Sequence, residues 1–168
     1  VRYFPFMGSL LTNNYATGNI EKLPFASREI NMRLLVRDND LYSGAFNYKN
    51  VRFNVDGNSG PFRVTSQSET ETWGIATIQI ITWDVANTDN INTVNCSEVD
   101  ILLSVDYGEN FDIVLDENIS NDGMHEIFVP ILPSLDGARI MVKSSDNIFF
   151  DINNSFIQIV NNYQPQID

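Results

Sequence analysis

Ile78-Gln79-Ile80-Ile81-Thr82-Trp83-Asp84-Val85 and Val99-Asp100-Ile101-Leu102-Leu103-Ser104-Val105 decide the class of this chain. Apolar side chains recur at every second position and are rich in β-branched and aromatic types, the period of a strand and not the 3.6 of a helix. In the second stretch Val99, Ile101, Leu103 and Val105 share one face, which is expected to point inward. In the first, alternate positions are apolar on one face while Ile81, Trp83 and Val85 continue on the other. That double-sided pattern predicts a central strand, with Trp83 a core anchor.

Working outward, Asp106 to Asn110 reads as a turn and Phe111 to Leu115 as the returning arm of a hairpin. Asn121-Asp122-Gly123 is a second turn, leading into a strand from Met124 to Val129 that Pro130 ends. After Asp136-Gly137, Ala138, Ile140 and Val142 alternate with Arg139 and Lys143, and Phe156 to Val160 closes the series. With Phe62 to Thr65 as the opening strand, about seven strands follow one another at intervals suited to an Ig-like antiparallel β-sandwich over 62–161, without the Cys-Trp-Cys signature of antibody domains. Residues 162–168 are a tail.

Ahead of Pro61 the pattern is thinner. Ile30 to Val36 and Asn50 to Val55 are good strands separated by a loop from Arg37 to Lys49, but a lone hairpin buries too little surface to be stable. The expectation is an all-β chain in which 1–58 forms the closing strands of a partial β-sandwich unit, cadherin- or PKD-like, with its opening strands upstream. Residues 59–61 link it to the sandwich. The uncovered edges of that hairpin would be met by the second domain, by Val1 to Leu11, or by a neighbouring molecule in an edge-strand dimer.

The 168 residues allow one ordinary domain or two small ones. Twenty-two acidic residues against ten basic ones give a net charge of -12, which repels nucleic acid and anionic lipid, so neither is an expected partner. No apolar run reaches the eighteen or so residues that a membrane-spanning helix needs, and no membrane insertion is expected. The chain opens on Val1-Arg2-Tyr3-Phe4 without the features of a signal peptide and is expected to be a piece of a larger protein. Cys96 is the single cysteine, which rules out a disulfide within the chain.

Several short motifs carry a resemblance. Gly60-Pro61-Phe62-Arg63-Val64-Thr65-Ser66, Ile81 to Ala86, Val94-Asn95-Cys96, Val99 to Ser104, Asn121-Asp122-Gly123, Ala138 to Lys143 and Phe149-Phe150-Asp151-Ile152 follow in order. Together they resemble the region C-terminal to the catalytic domain in secreted reprolysin-like zinc metalloproteases of Bacteroidetes-type bacteria. Arg2-Tyr3-Phe4-Pro5, Leu23-Pro24 and Ile30 to Asn39 look like the closing half of the β domain that follows the protease there. The resemblance implies a secreted or cell-surface parent with a zinc peptidase upstream and, often, a sorting domain downstream. Zn²⁺ would belong to that parent catalytic domain. The family's His-Glu-x-x-His motif with a further His needs three imidazoles, this chain has His125 alone, and no catalytic residue carries over.

Each candidate group has a plainer explanation beside it. His125 on a strand next to Glu126 is expected to have a structural or surface role, and a Cys96–His125 pair lacks an orienting third group. The acids lie mostly in turns, which gives no reason to expect a glycosidase pair across a cleft. Calcium is the cofactor with the better case, because Asp38 and Asp40 follow a strand directly and Asp56 lies in the linker. Turn chemistry accounts for the same residues without a metal. Trp73, Tyr42, Phe46, Tyr48 and Tyr107 are candidates for a sugar-stacking platform or for ordinary packing. Asn95, Asn118 and Asn153 head Asn-x-Ser sequences and receive no role.

Two functions of different class follow. The first is a non-catalytic accessory module of a secreted zinc metallopeptidase, giving spacing, stabilisation or contact with protein substrate or cell envelope, with the upstream peptidase domain as partner. The alternative is a carbohydrate-binding or adhesion module of a surface protein.

Overall fold

A computed structural model describes residues 3–12, 23–40 and 44–161, and it is almost entirely β. The chain divides into two units, Pro24–Asn58 and Val1–Leu23 with Ser59–Asp168.

The larger unit is a sandwich. Its first sheet runs β3–β5–β8, from strands β3 (Arg63–Val64), β5 (Ile78–Asp84) and β8 (Met124–Phe128). The second runs β4–β11–β9–β6–β7, from β4 (Glu71–Gly74), β11 (Ile157–Val160), β9 (Leu135–Ser144), β6 (Glu98–Ser104) and β7 (Ile113–Ser120). A short β10 (Phe150–Ile152) also pairs with β9. Ile81, Trp83 and Ile127 from the first sheet meet Val99, Ile101, Leu103, Ile140, Val142, Ile157 and Ile159 from the second in one core. Each fully buried aliphatic side chain there contributes roughly 1.5–3 kcal/mol relative to exposure.

Alternation explains which residues face in. Val99, Ile101 and Leu103 are buried together, as their spacing predicts. Val105 lies beyond the end of β6 and is exposed. Strand β5 is central in its sheet, yet Ile78 and Ile80 on its outward face are 64% and 49% exposed.

Three features depart from an all-antiparallel series of single strands. The opening segment is shared between the sheets: β3 pairs with β5, then the chain crosses and β4 runs parallel to β11. The closing segment breaks into β10 and β11 at the same level. Asn153, buried in that break, accepts the Ile140 N–H at 2.8 Å and donates to the carbonyls of Gln67 and Ser155, which ties the two crossings together.

The third departure concerns the first residues. The helix α1 (Met7–Leu11) lies on the outward face of the second sheet, where Met7 and Leu11 pack against Leu102, Met141 and Ile152. Arg139 Nη2 donates to the Leu11 carbonyl at 2.8 Å beneath it. The sequence reading places 1–58 in one unit, whereas residues 3–12 belong with the sandwich. The reason is that Leu102 and Met141 give this sheet a second apolar face, and burying that face on the chain's own N-terminal segment is more favourable than leaving it wet.

The smaller unit is a two-stranded hairpin of β1 (Arg28–Arg37) and β2 (Phe46–Val55), paired without a bulge from Arg28↔Val55 to Arg37↔Phe46. The register fixes its faces, since directly opposed residues project the same way. Ile30 pairs with Phe53 and Met32 with Val51, so the middle of one face is apolar, with Arg28, Lys49 and Asn47 on the same face. Its reverse carries Glu29, Asn31 and Arg33 against Asn54, Arg52 and Asn50 and, toward the tip, Leu35 and Arg37 against Tyr48 and Phe46. Residues 162–168, the expected tail, lie outside the described residues.

Candidate functional site

The groups suited to chemistry are engaged in the sandwich framework. His125 projects from β8, and its Nε2 meets Asp116 Oδ2 on β7 at 2.8 Å, a link between strands of different sheets. Cys96 is fully buried, and its Sγ–H donates to the Glu98 carbonyl at 3.2 Å. Loss of water and the nearby Asp146 carboxylate push the thiol up to about 11, so a nucleophilic thiolate is strongly disfavoured at neutral pH.

Asn121, the first residue of a sequence-predicted turn, is a buried hub. Its Oδ1 accepts Trp83 Nε1–H at 2.8 Å, and its Nδ2 donates to Thr88 Oγ1 at 3.0 Å and the Cys96 carbonyl at 2.9 Å. Those three bonds hold the loop between β5 and β6 against the core tryptophan. Asp100 serves a similar end nearby, accepting from the Ser145 hydroxyl, the Asn118 N–H and Lys143. Burial opposes its charge, but these three partners together hold its carboxyl below the ordinary value.

The proposed calcium ligands do not gather. Asp38 accepts the N–H groups of Ala45 and Asp40, which closes the tip of the hairpin and holds its carboxyl below the usual range. Asp40 stands in the same loop. Asp56 is past the opposite end of the ladder, where it accepts the Asn58 N–H in an Asx turn. Ten residue pairs separate the two ends, about 30 Å at the rise of a strand, so these three carboxylates share no single ion. Among the described residues, no cluster of three or more His, Cys, Asp or Glu is placed to hold a metal.

The aromatic candidates separate as well. Trp73 is core, 2% exposed, with its indole N–H donated to Glu71. Tyr107 stands edge-on to Phe156. Tyr42 lies outside the described residues. Phe46 and Tyr48 do share a face of β2, both largely exposed, and the Arg33 guanidinium lies 4.5 Å over the Tyr48 ring. Beside them, Leu35, Arg37, Asp38, Asp40, Ala45 and Phe46 line a concavity of about 410 Å³ at the hairpin tip. Of the Asn-x-Ser residues, Asn153 is buried and hydrogen-bonded, which leaves no room for a glycan.

The acidic exterior of the sandwich is interrupted on the outer face of β3–β5–β8, where Ile78, Ile80, Met124 and Phe128 are between 49% and 64% exposed. The register sets Ile78 beside Phe128, whereas Ile80 stands beside Glu126 and Met124 beside Thr82, so polar residues border the apolar ones on this face. No family model matches this chain, and no curated protein matches it.

Proposed function

We propose that this chain is a non-catalytic accessory β module of a secreted zinc metallopeptidase, serving to space or stabilise the peptidase and to contact its protein substrates or the cell envelope. The supporting observation is how the polar groups are used. His125, Asn121 and Asn153 are each committed to a bond that joins strands or loops of the sandwich, and Cys96 is buried with a local bond to the Glu98 carbonyl. The peptidase connection rests on the motif resemblance, and extracellular residence follows from it.

The experiment is to express the surrounding reading frame with and without this segment and to follow zinc-dependent cleavage of a short peptide and of a folded protein. Deletion should leave turnover of the short peptide intact and reduce cleavage of the folded substrate or thermal resistance of the peptidase. Metal-dependent turnover by the isolated chain would overturn the proposal, as would a reading frame with no peptidase in it.

The exposed pair Phe46 and Tyr48 favours a second reading, a carbohydrate-binding or adhesion module, since exposed rings on one strand face stack against sugars. Retention on a glycan array that Phe46→Ala abolishes would establish it. Arg33 already covers part of the Tyr48 ring, which makes this the weaker arrangement for stacking.

A further inference from the structure

Among the described residues, two sheet faces carry exposed apolar side chains. One is the outer face of β3–β5–β8, with Ile78, Ile80, Met124 and Phe128; the other is the hairpin face on which Leu34 and Val36 are 64% and 59% exposed. Elsewhere the chain behaves differently: the outward Leu102 and Met141 of the second sheet are buried beneath α1.

We propose that the apolar face of the hairpin in one copy of the chain docks on the outer face of β3–β5–β8 in a second copy. Charge selects this pairing. The hairpin unit Pro24–Asn58 has five basic residues against four acidic, net +1, while Ser59–Asp168 has three basic against seventeen acidic, net -14. On the docking faces themselves, Arg28 and Lys49 flank the apolar residues of the hairpin, and Glu126 and Asp84 flank those of the sheet. Hairpin against hairpin would set Arg28 and Lys49 against their own copies, and sheet against sheet would do the same with Glu126.

The area is consistent with association, though not with a permanent complex. At roughly 80–120 Å² for each half-exposed apolar side chain, the two faces bury on the order of 1,000 Å², the lower limit of a specific interface. A dissociation constant in the micromolar range is expected at physiological salt, where the repulsion between two chains of net charge -12 is largely screened.

The test is sedimentation velocity on the full chain across concentration. Leu34→Glu spoils the hairpin face and leaves the sheet; Ile80→Glu does the reverse. Each variant alone should raise the dissociation constant at least tenfold, and an equimolar mixture should recover association, because each supplies the face that the other lacks. Lys49→Glu and Glu126→Lys should behave likewise, weak alone and restored when mixed, which protects the test from a variant that fails to fold. Wild-type association that Ile80→Glu leaves untouched would indicate hairpin-to-hairpin pairing and overturn the proposal. A wild-type chain that stays monomeric at several hundred micromolar and physiological salt would also overturn it.

Discussion

Replacing Asp151 by Asn should change how the stability of the sandwich depends on pH. Asp151 sits on β10 opposite Val142, and its Oδ2 accepts the Val64 N–H at 2.8 Å. Val64 needs that acceptor because the next N–H, of Thr65, is the one turned toward β5, bonded to the Thr82 carbonyl. The carboxylate thus pins a two-residue strand, but burial pushes its acid constant up from 3.8 to about 6, against the opposing pull of the Val64 N–H and of Arg63. An acid that ionises more readily unfolded than folded binds more protons in the native state between those two values. Stability therefore falls as pH rises from about 4 to about 6 and is level in this term above that. The loss is about 2–3 kcal/mol, from 1.36 kcal/mol for each pH unit between the two constants, reduced for partial solvent access. Asn keeps an acceptor for Val64 and carries no charge. Urea unfolding of both proteins from pH 3.5 to 8 isolates the effect, since every other carboxyl is common to the two. The curve of the Asp151→Asn variant should pull above the wild type by that amount across pH 4 to 6. A difference that stays constant with pH would mean that Asp151 titrates normally, and the burial argument would fail.

Asn121→Ala should destabilise by about 3 kcal/mol in denaturant titration, because it strands the buried indole N–H of Trp83 and frees the loop at Thr88 and Cys96. A cost below about 1 kcal/mol would show that the hub is dispensable. Cys96 should react with a thiol reagent at pH 8 at least about a hundredfold more slowly in the folded chain than in urea, given its burial and raised acid constant. Gly108→Ala should cost about 1–2 kcal/mol, since Gly108 has φ +91° and an added Cβ would run into Leu11 of α1. The same substitution should speed amide exchange over Met7 to Leu11, and unchanged exchange there would refute the packing of that segment on the sandwich.

Much of the sandwich was legible because its inward residues follow a period of two and its turns contain Asn, Asp and Gly. The strands around Ile81, Ile101, Ile127 and Ile140 follow from that alone. What escaped was whatever depends on a distant neighbour. Glu71–Gly74 is too short to show alternation, and its parallel place beside β11 depends on a crossing that local pattern does not encode. Arg139 alternates with apolar residues as a solvent-facing side chain would, yet it is 2% exposed, because the helix over it comes from the far end of the sequence. Trp73 reads equally well as a surface aromatic and a core one until its neighbours are placed.

The same principle explains why the candidate site reads so differently from its sequence. Asn and Asp are ambiguous, since the side chain that closes a turn in water is also one of the few short enough to satisfy a buried amide. Asp38 and Asp56 took the first use, at opposite ends of one hairpin. Asn121 and Asn153 took the second, although their immediate sequences look like turns of the same kind. A single sequence does not distinguish the two, because the difference is whether another strand passes overhead. What the sequence did carry was the double-sided apolar pattern of β5, a local property that predicts burial on both faces. The sandwich core supplies one of those faces. Ile78 and Ile80 on the other face stay exposed among the described residues, so the local pattern fixes the strand but not how much of each face is buried.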